Sequence, residues 1–440
     1  MKIIFNLFVT VIFSLSILFQ QTQGLCAEEA LDWKGCLVEA RVNNPDLISA
    51  VENISQQKSA KTITASSLYP QINADLNAST SKTGKSSSQN LSSATSGDSY
   101  SYGATGSQLI FDGFKTLNEV NTAKQNIETA KQSYRFASSE IRLSLRNAFV
   151  KLLEAQELVK VVEGIIKIRR DNLELITMRY YSGLEHKGAL LTAQANLSQA
   201  NYELAQAKRN VEFFQRQLTK EMGRKEFMPI LVSGNFVVRD TAKIKPDFEV
   251  IVKNNPSVLE AAAKKAAAFY NVRSAYGNFS PQLIGSASVD KAGSSWPPAT
   301  NQWNAGLGLS VPIFEGGLRV AQVSQAKSEL RQAGENERSV RDTAVVSLEQ
   351  SWVLLQDTLE FVNVQKQILN ATEERSRIAE AQYSIGFISF DNWIIIEDDL
   401  VKAKKNYLLA QSDALLAEAG WIAFFRQCPE HIFYCWLGAA

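Results

Sequence analysis

The chain has 440 residues, 45% of them hydrophobic, and its 46 basic residues nearly balance 45 acidic ones for a formal charge of +1. That balance, without any basic cluster, leaves no electrostatic footprint for nucleic acid, so a polyanionic partner is not expected. Four cysteines, Cys26, Cys36, Cys428 and Cys435, are too few to staple a chain of this length.

Residues 1–27 read as a secretory signal peptide. Lys2 precedes an apolar run from Ile3 to Phe19, and small or polar residues lead to a cleavage point near Gly24 or Ala27. Cys26 admits a lipid-modified N-terminus, against which Leu25 stands where such a site needs a small residue. After this segment no stretch reaches the roughly 18 to 20 unbroken apolar residues of a membrane-spanning helix. Any later membrane contact must therefore use strands.

The rest of the chain is written twice. Asn43-Asn44-Pro45 recurs as Asn254-Asn255-Pro256, and Pro70-Gln71-Ile72 as Pro281-Gln282-Leu283, both offset by 211 residues (45 to 256, 70 to 281). LIFDGF, ending at Phe114, then matches PIFEGG, ending at Gly317, and YYSGL (180–184) matches QYSIGF (382–387), now offset by 203. The first copy therefore carries a longer loop, and TSKTGKSSSQNLSSATSGD supplies it as an exposed hairpin tip. The expected organisation is a first repeat over 28–222 with a β-hairpin at 69–111, an irregular equatorial linker over 223–245, a second repeat over 246–426 with a hairpin at 280–314, and a tail over 427–440.

Beside the loop, periodicity is close to two. Ile72, Ala74, Leu76 and Ala78 alternate with Asn73, Asp75, Asn77 and Ser79, and Trp303, Ala305, Leu307, Leu309, Val311 and Ile313 alternate with mostly small or polar residues. Each strand approaches the roughly 9 to 11 residues that cross a bilayer when tilted. Tyr69, Tyr100, Tyr102, Phe111, Phe279, Trp296, Trp303 and Phe314 stand near strand ends, where aromatic rings favour the membrane boundary.

From Lys115 to about Arg179 no proline occurs, so one helix of about 100 Å is expected. Val120, Ile127, Tyr134, Ile141 and Ala148 form a heptad stripe, continued by Leu145, Leu152, Val159, Ile166 and Leu173 on a register displaced by four. Leu348, Leu355, Val362 and Leu369 repeat that seam in the second copy. Shorter helical tracts are expected at 29–67, 188–222, 246–278 and 389–426. Four strands cannot close a barrel, and an open edge in lipid is prohibitively costly, so the chain must oligomerise. The expected fold is mainly α with transmembrane β, in which three copies close a 12-stranded barrel continued by a helical cylinder.

With its duplicated hairpins, LIFDGF and PIFEGG at the strand exits, and the turns RYYSGL and QYSIGF, the chain resembles the TolC-like outer-membrane efflux family. The resemblance implies a homotrimer in outer-membrane lipid with a periplasmic helical tunnel. It also implies a periplasmic membrane-fusion adaptor and an inner-membrane transporter of the RND, ABC or MFS type as partners. The expected function is the passive exit duct of a tripartite efflux or type I secretion system, without enzyme activity, cofactor or metal. A periplasmic adaptor or coiled-coil scaffold is the alternative. The sequence carries no phosphate-binding glycine loop, nucleophile elbow or zinc-protease spacing.

The resemblance places the adaptor-contacting tip at Gly183, Leu184, Glu185, His186, Gly386 and Phe387, and the aperture near Asp391, Asn392, Trp393 and Ile395. Family members commonly carry carboxylates six and nine residues after the tip glycine. Here those positions are Asn392 and Ile395, and in the first copy Ala189 and Thr192, so an acidic ring is replaced by expected apolar closure around Phe387, Phe390, Trp393 and Ile395. Asp391 also has a helix-end role, in the first turn after Ser389. His186 reads as a solvated tip residue rather than a metal ligand. Cys428, His431 and Cys435 are a weak zinc signal, and a disulfide between two of the cysteines, or from one to Cys36, is the structural reading.

Overall fold

The computed structural model of the chain describes residues 30–82, 96–236 and 245–425. The expected signal peptide, most of the Ser/Thr/Gly/Asn loop and the tail with Cys428, His431 and Cys435 lie outside the described residues. In chain order the elements are β1 (Ala30–Leu31), α1 (Trp33–Asn43), α2 (Pro45–Ser66), β2 (Gln71–Lys82), β3 (Ser96–Phe111), α3 (Lys115–Tyr181) and α4 (Lys187–Met222). The second half holds β4 (Leu231–Val232), α5 (Phe248–Val252), α6 (Pro256–Gly277), β5 (Gln282–Gly293), β6 (Thr300–Ser310), α7 (Leu318–Ser384) and α8 (Phe390–Phe425). The duplication is kept in the lengths: α3 and α7 each have 67 residues, and α4 and α8 each have 36.

Two expected helices are broken. The pattern predicts one helix over 29–67, but Asn44 stands between α1 and α2 with φ −66° and ψ 120°. Pro45 excludes the helical region for the residue before it and then starts α2, where its missing N–H is harmless. The Asn44 side chain accepts from the N–H of Asp46 and Leu47 at 3.0 and 3.1 Å, which caps the new helix. Asn255 and Pro256 repeat the break between α5 and α6, with Ser257 N–H donating to Asn255 at 2.9 Å. The duplicated Asn-Pro is thus the punctuation of each repeat.

The four long strands form one antiparallel sheet in the order β2-β3-β5-β6, leaving β2 and β6 as unpaired edges. Register sorts the side chains by face, because residues directly opposite share a side. One face carries the rows Ile72–Gly106–Ala287–Ala305, Ala74–Ala104–Val289–Trp303 and Leu76–Tyr102–Lys291–Asn301; the other carries Asn73–Thr105–Ser288–Asn304 and Asp75–Gly103–Asp290–Gln302. Ile72, Leu307 and Trp303 are 76%, 73% and 79% exposed, so the apolar face has no protein cover within the protomer. β6 stops at Ser310 rather than continuing to Ile313, because Pro312 offers no N–H to the ladder.

Helix α3 is the spine. It packs along α2, α4, α6 and α8, while α7 packs on α6 and α8. The seam residues Leu145, Leu152, Leu348 and Leu355 are fully buried, so both copies bury the same seam positions. Ala193, Ala200 and Ala207 line the buried face of α4 at intervals of seven and let helices approach closely. At the equator, Cys36, Leu37, Phe149, Leu218, Ile230 and Val232 form one core, and β1 pairs in parallel with β4. Gln156 completes that short ladder: its amide donates to Val232 O and accepts from Val232 N–H, both at 3.0 Å. Cys36 is a free thiol in this core, and burial pushes its pKa up to about 12.

Candidate functional site: the paired helical tips

The two helical hairpins end in equivalent turns. Gly183 has φ +72° and Gly386 φ +78°, the left-handed conformation that glycine adopts without a Cβ penalty. At the first turn Leu184 N–H bonds Arg179 O at 2.9 Å and Gly183 N–H bonds Tyr180 O at 3.0 Å. At the second, Phe387 N–H bonds Gln382 O at 2.8 Å and Gly386 N–H bonds Tyr383 O at 3.0 Å. These are Schellman caps, which satisfy helix carbonyls and reverse the chain within a few residues. His186 then caps α4: its Nδ1 accepts from Ala189 N–H at 3.1 Å. Ser389 does so more loosely for α8, accepting from Asn392 N–H at 3.4 Å.

The turns are tied to each other. Tyr383 Oη donates to Glu185 Oε2 at 2.7 Å, joining the end of α7 to the α3–α4 turn. The Arg179 guanidinium lies 4.7 Å from the centre of the Tyr383 ring, and its Nη1 donates to Ser384 O at 3.2 Å. A cation from one hairpin thereby completes the C-terminus of the other, where the helix dipole favours positive charge. Tyr383 also stacks on Trp393, with ring centroids 4.4 Å apart and planes inclined by 8°. Burial, and then the Glu185 carboxylate, hold the Tyr383 phenol well above its ordinary pKa.

The sequence-predicted residues separate into two sets. Leu184, Phe387, Asp391, Asn392 and Ile395 are exposed, with Phe387 75% exposed. Glu185 is turned inward onto Tyr383, while His186 is largely open. Trp393 is 0% exposed and Phe390 is buried, so neither lines an opening in this arrangement. Both rings pack with Ile176, Ala189 and Tyr383 in the tip core. Arg179 and Tyr383, which make the cross-hairpin contacts, were not singled out from sequence. Their only signal was the match of the two Tyr/Gly turns.

Comparison with known proteins decides the family. The outer membrane efflux protein family matches this chain over residues 36–224 and 249–420, both halves of the duplication. The chain belongs to the outer membrane efflux protein family. Outer membrane efflux protein BepC of Brucella suis is 22% identical over 388 residues, covering 87% of this chain and 82% of the relative. Among solved structures, CusC superposes with a TM-score of 0.81 at 18% identity, covering 92% of this chain and 95% of that one. The MtrE channel of Neisseria gonorrhoeae, solved in an open state, superposes with a TM-score of 0.76 at 17% identity, covering 92% and 94%. The likeness thus extends over both repeats, and the tip turns occupy the far end of the helical part from the sheet.

Proposed function

We infer that this outer membrane efflux protein works as one third of a passive exit duct. The observation that carries the reading is the four-stranded sheet, with two unpaired edges, one apolar and uncovered face, and one polar face. In lipid an unpaired edge is prohibitively costly, so β6 of one copy must meet β2 of the next. Three copies supply twelve strands, with the Ile72 and Leu307 face toward lipid and the Asn73 and Ser288 face toward a water-filled lumen. The helices of the three copies continue the lumen into the periplasm. Domain limits at 28–222, 223–245 and 246–426 follow the duplication.

The duct has no chemistry of its own in this reading and is not an enzyme. A periplasmic membrane-fusion adaptor meets the tips around Gly183–His186 and Gly386–Phe387, and an RND, ABC or MFS transporter in the inner membrane supplies energy. BepC is an efflux protein and MtrE a channel with an open state, which favours efflux and a tip that changes between closed and open. Phe387 and Ile395 close the aperture by apolar contact, without an acidic ring. Planar-bilayer recordings test this: the protein conducts ions, and a trivalent cation on the periplasmic side blocks only weakly. Tight block that disappears in Asp391→Asn would make Asp391 the gate residue instead.

A further inference from the structure

About two turns into α8, three helices meet at a buried carboxylate that the duct reading does not use. Glu397 is 3% exposed. From α7, Ser376 Oγ donates to Glu397 Oε1 at 2.5 Å, and Glu380 faces it as a like charge. From α3, Arg169 and Asn172 lie against it, both buried. Arg169 Nη2 pairs with Asp398, the neighbour of Glu397 on α8, while Arg169 Nη1 is buried with no hydrogen-bond partner. From α4, Glu203 faces Arg169 and is held by Lys405 at 2.6 Å.

At this junction polar groups, and not the apolar seam alone, fasten the α7–α8 hairpin to α3. We propose that Glu397 is a proton-operated clasp: binding a proton at this carboxyl tightens the seat of the α7–α8 hairpin on α3 above the tips, and losing it loosens that seat. When ionised, Glu397 draws the Ser376 hydroxyl and competes with Asp398 for Arg169, leaving two adjacent carboxylates to share one guanidinium. When protonated, it leaves Arg169 to Asp398 alone and removes the repulsion from Glu380.

Burial, and in smaller part Glu380, raises the titration of Glu397 above the ordinary carboxylate value, while Ser376, Asn172 and Arg169 pull it back. The sign follows from linkage. The folded form holds the proton more tightly than the unfolded chain, so the stabilisation is complete below the ordinary glutamate value and is lost as pH rises through the raised one. Periplasmic acidification therefore tightens the lower tunnel.

Hydrogen exchange on the full-length protein in detergent, at pH 5 and pH 8 and corrected for intrinsic rates, tests the clasp. Amides around Glu397 on α8 and Ser376 on α7 are better protected at pH 5, by up to about tenfold for each pK unit that burial displaces the titration. Glu397→Gln, neutral and of the same size, holds the low-pH protection at both pH values. Ser376→Ala keeps the dependence but moves its midpoint to higher pH, because it removes a donor to the charged form. Equal protection of the wild type at both pH values, an undiminished dependence in Glu397→Gln, or a midpoint that fails to rise in Ser376→Ala would overturn the proposal. The readout is helix protection rather than passage of cargo, so the clasp and the duct can fail independently.

Discussion

Replacing Tyr383 with Phe removes one hydroxyl and isolates the bond that joins the two tip turns. The ring stays stacked on Trp393, so no cavity opens, unlike Tyr383→Ala, which would add roughly 3 to 5 kcal/mol of lost packing. Because Glu185 is the acceptor and is only 10% exposed in its side chain, solvent screens the bond little. A hydrogen bond to a charged partner is worth roughly 1.5 to 3 kcal/mol, so local opening should rise by about ten- to hundredfold. The assay is hydrogen exchange of the Leu184 and Phe387 amides, which close the two Schellman turns. Glu185→Gln keeps an acceptor and should fall between wild type and Tyr383→Phe, while the double variant should add little to Tyr383→Phe alone. The raised phenol pKa makes this contribution complete below about pH 10 and lost only above it. Unchanged exchange at both amides in Tyr383→Phe would refute the coupling of the turns.

Three further outcomes are expected. Gly183→Ala or Gly386→Ala should destabilise by about 1 kcal/mol through backbone strain alone, since an added Cβ meets nothing within 4 Å at either site; thermal unfolding measures it. Leu348→Ala and Leu145→Ala should each cost about 2 to 5 kcal/mol, because both side chains are fully buried, and comparable losses in denaturant unfolding would reflect the shared seam. An epitope inserted near Ser93, between the β2 and β3 strands, should be accessible to antibody on intact cells; labelling only after outer-membrane permeabilisation would reverse the proposed orientation.

Much of the architecture was legible because the environments that impose it are one-dimensional. A sheet with one apolar and one polar face writes period two into Ile72-Asn73-Ala74-Asp75, and a long coiled seam writes heptads through Leu145 and Leu152. The break at Asn44-Pro45 was visible as a repeat marker, yet its meaning as a helix boundary lies in the backbone restriction that proline places on its neighbour. The end of β6 was hidden for a similar reason, since Val311 and Ile313 keep the alternation after Pro312 has ended the ladder. The tips were the least legible. Tyr383 and Glu185 are 198 residues apart, and a contact at that separation leaves no local pattern. The position of Trp393 and Phe390 after Gly386 points toward an aperture, whereas their burial among Ile176, Ala189 and Tyr383 depends on how two hairpins dock.

In the proposed duct the unpaired β2 and β6 edges are joined between copies into a closed barrel. Native mass measurement of the detergent-extracted protein tests it most directly, combined with circular dichroism to follow strand content. A trimer that retains its strands is expected. A stable monomer with full strand content would contradict it.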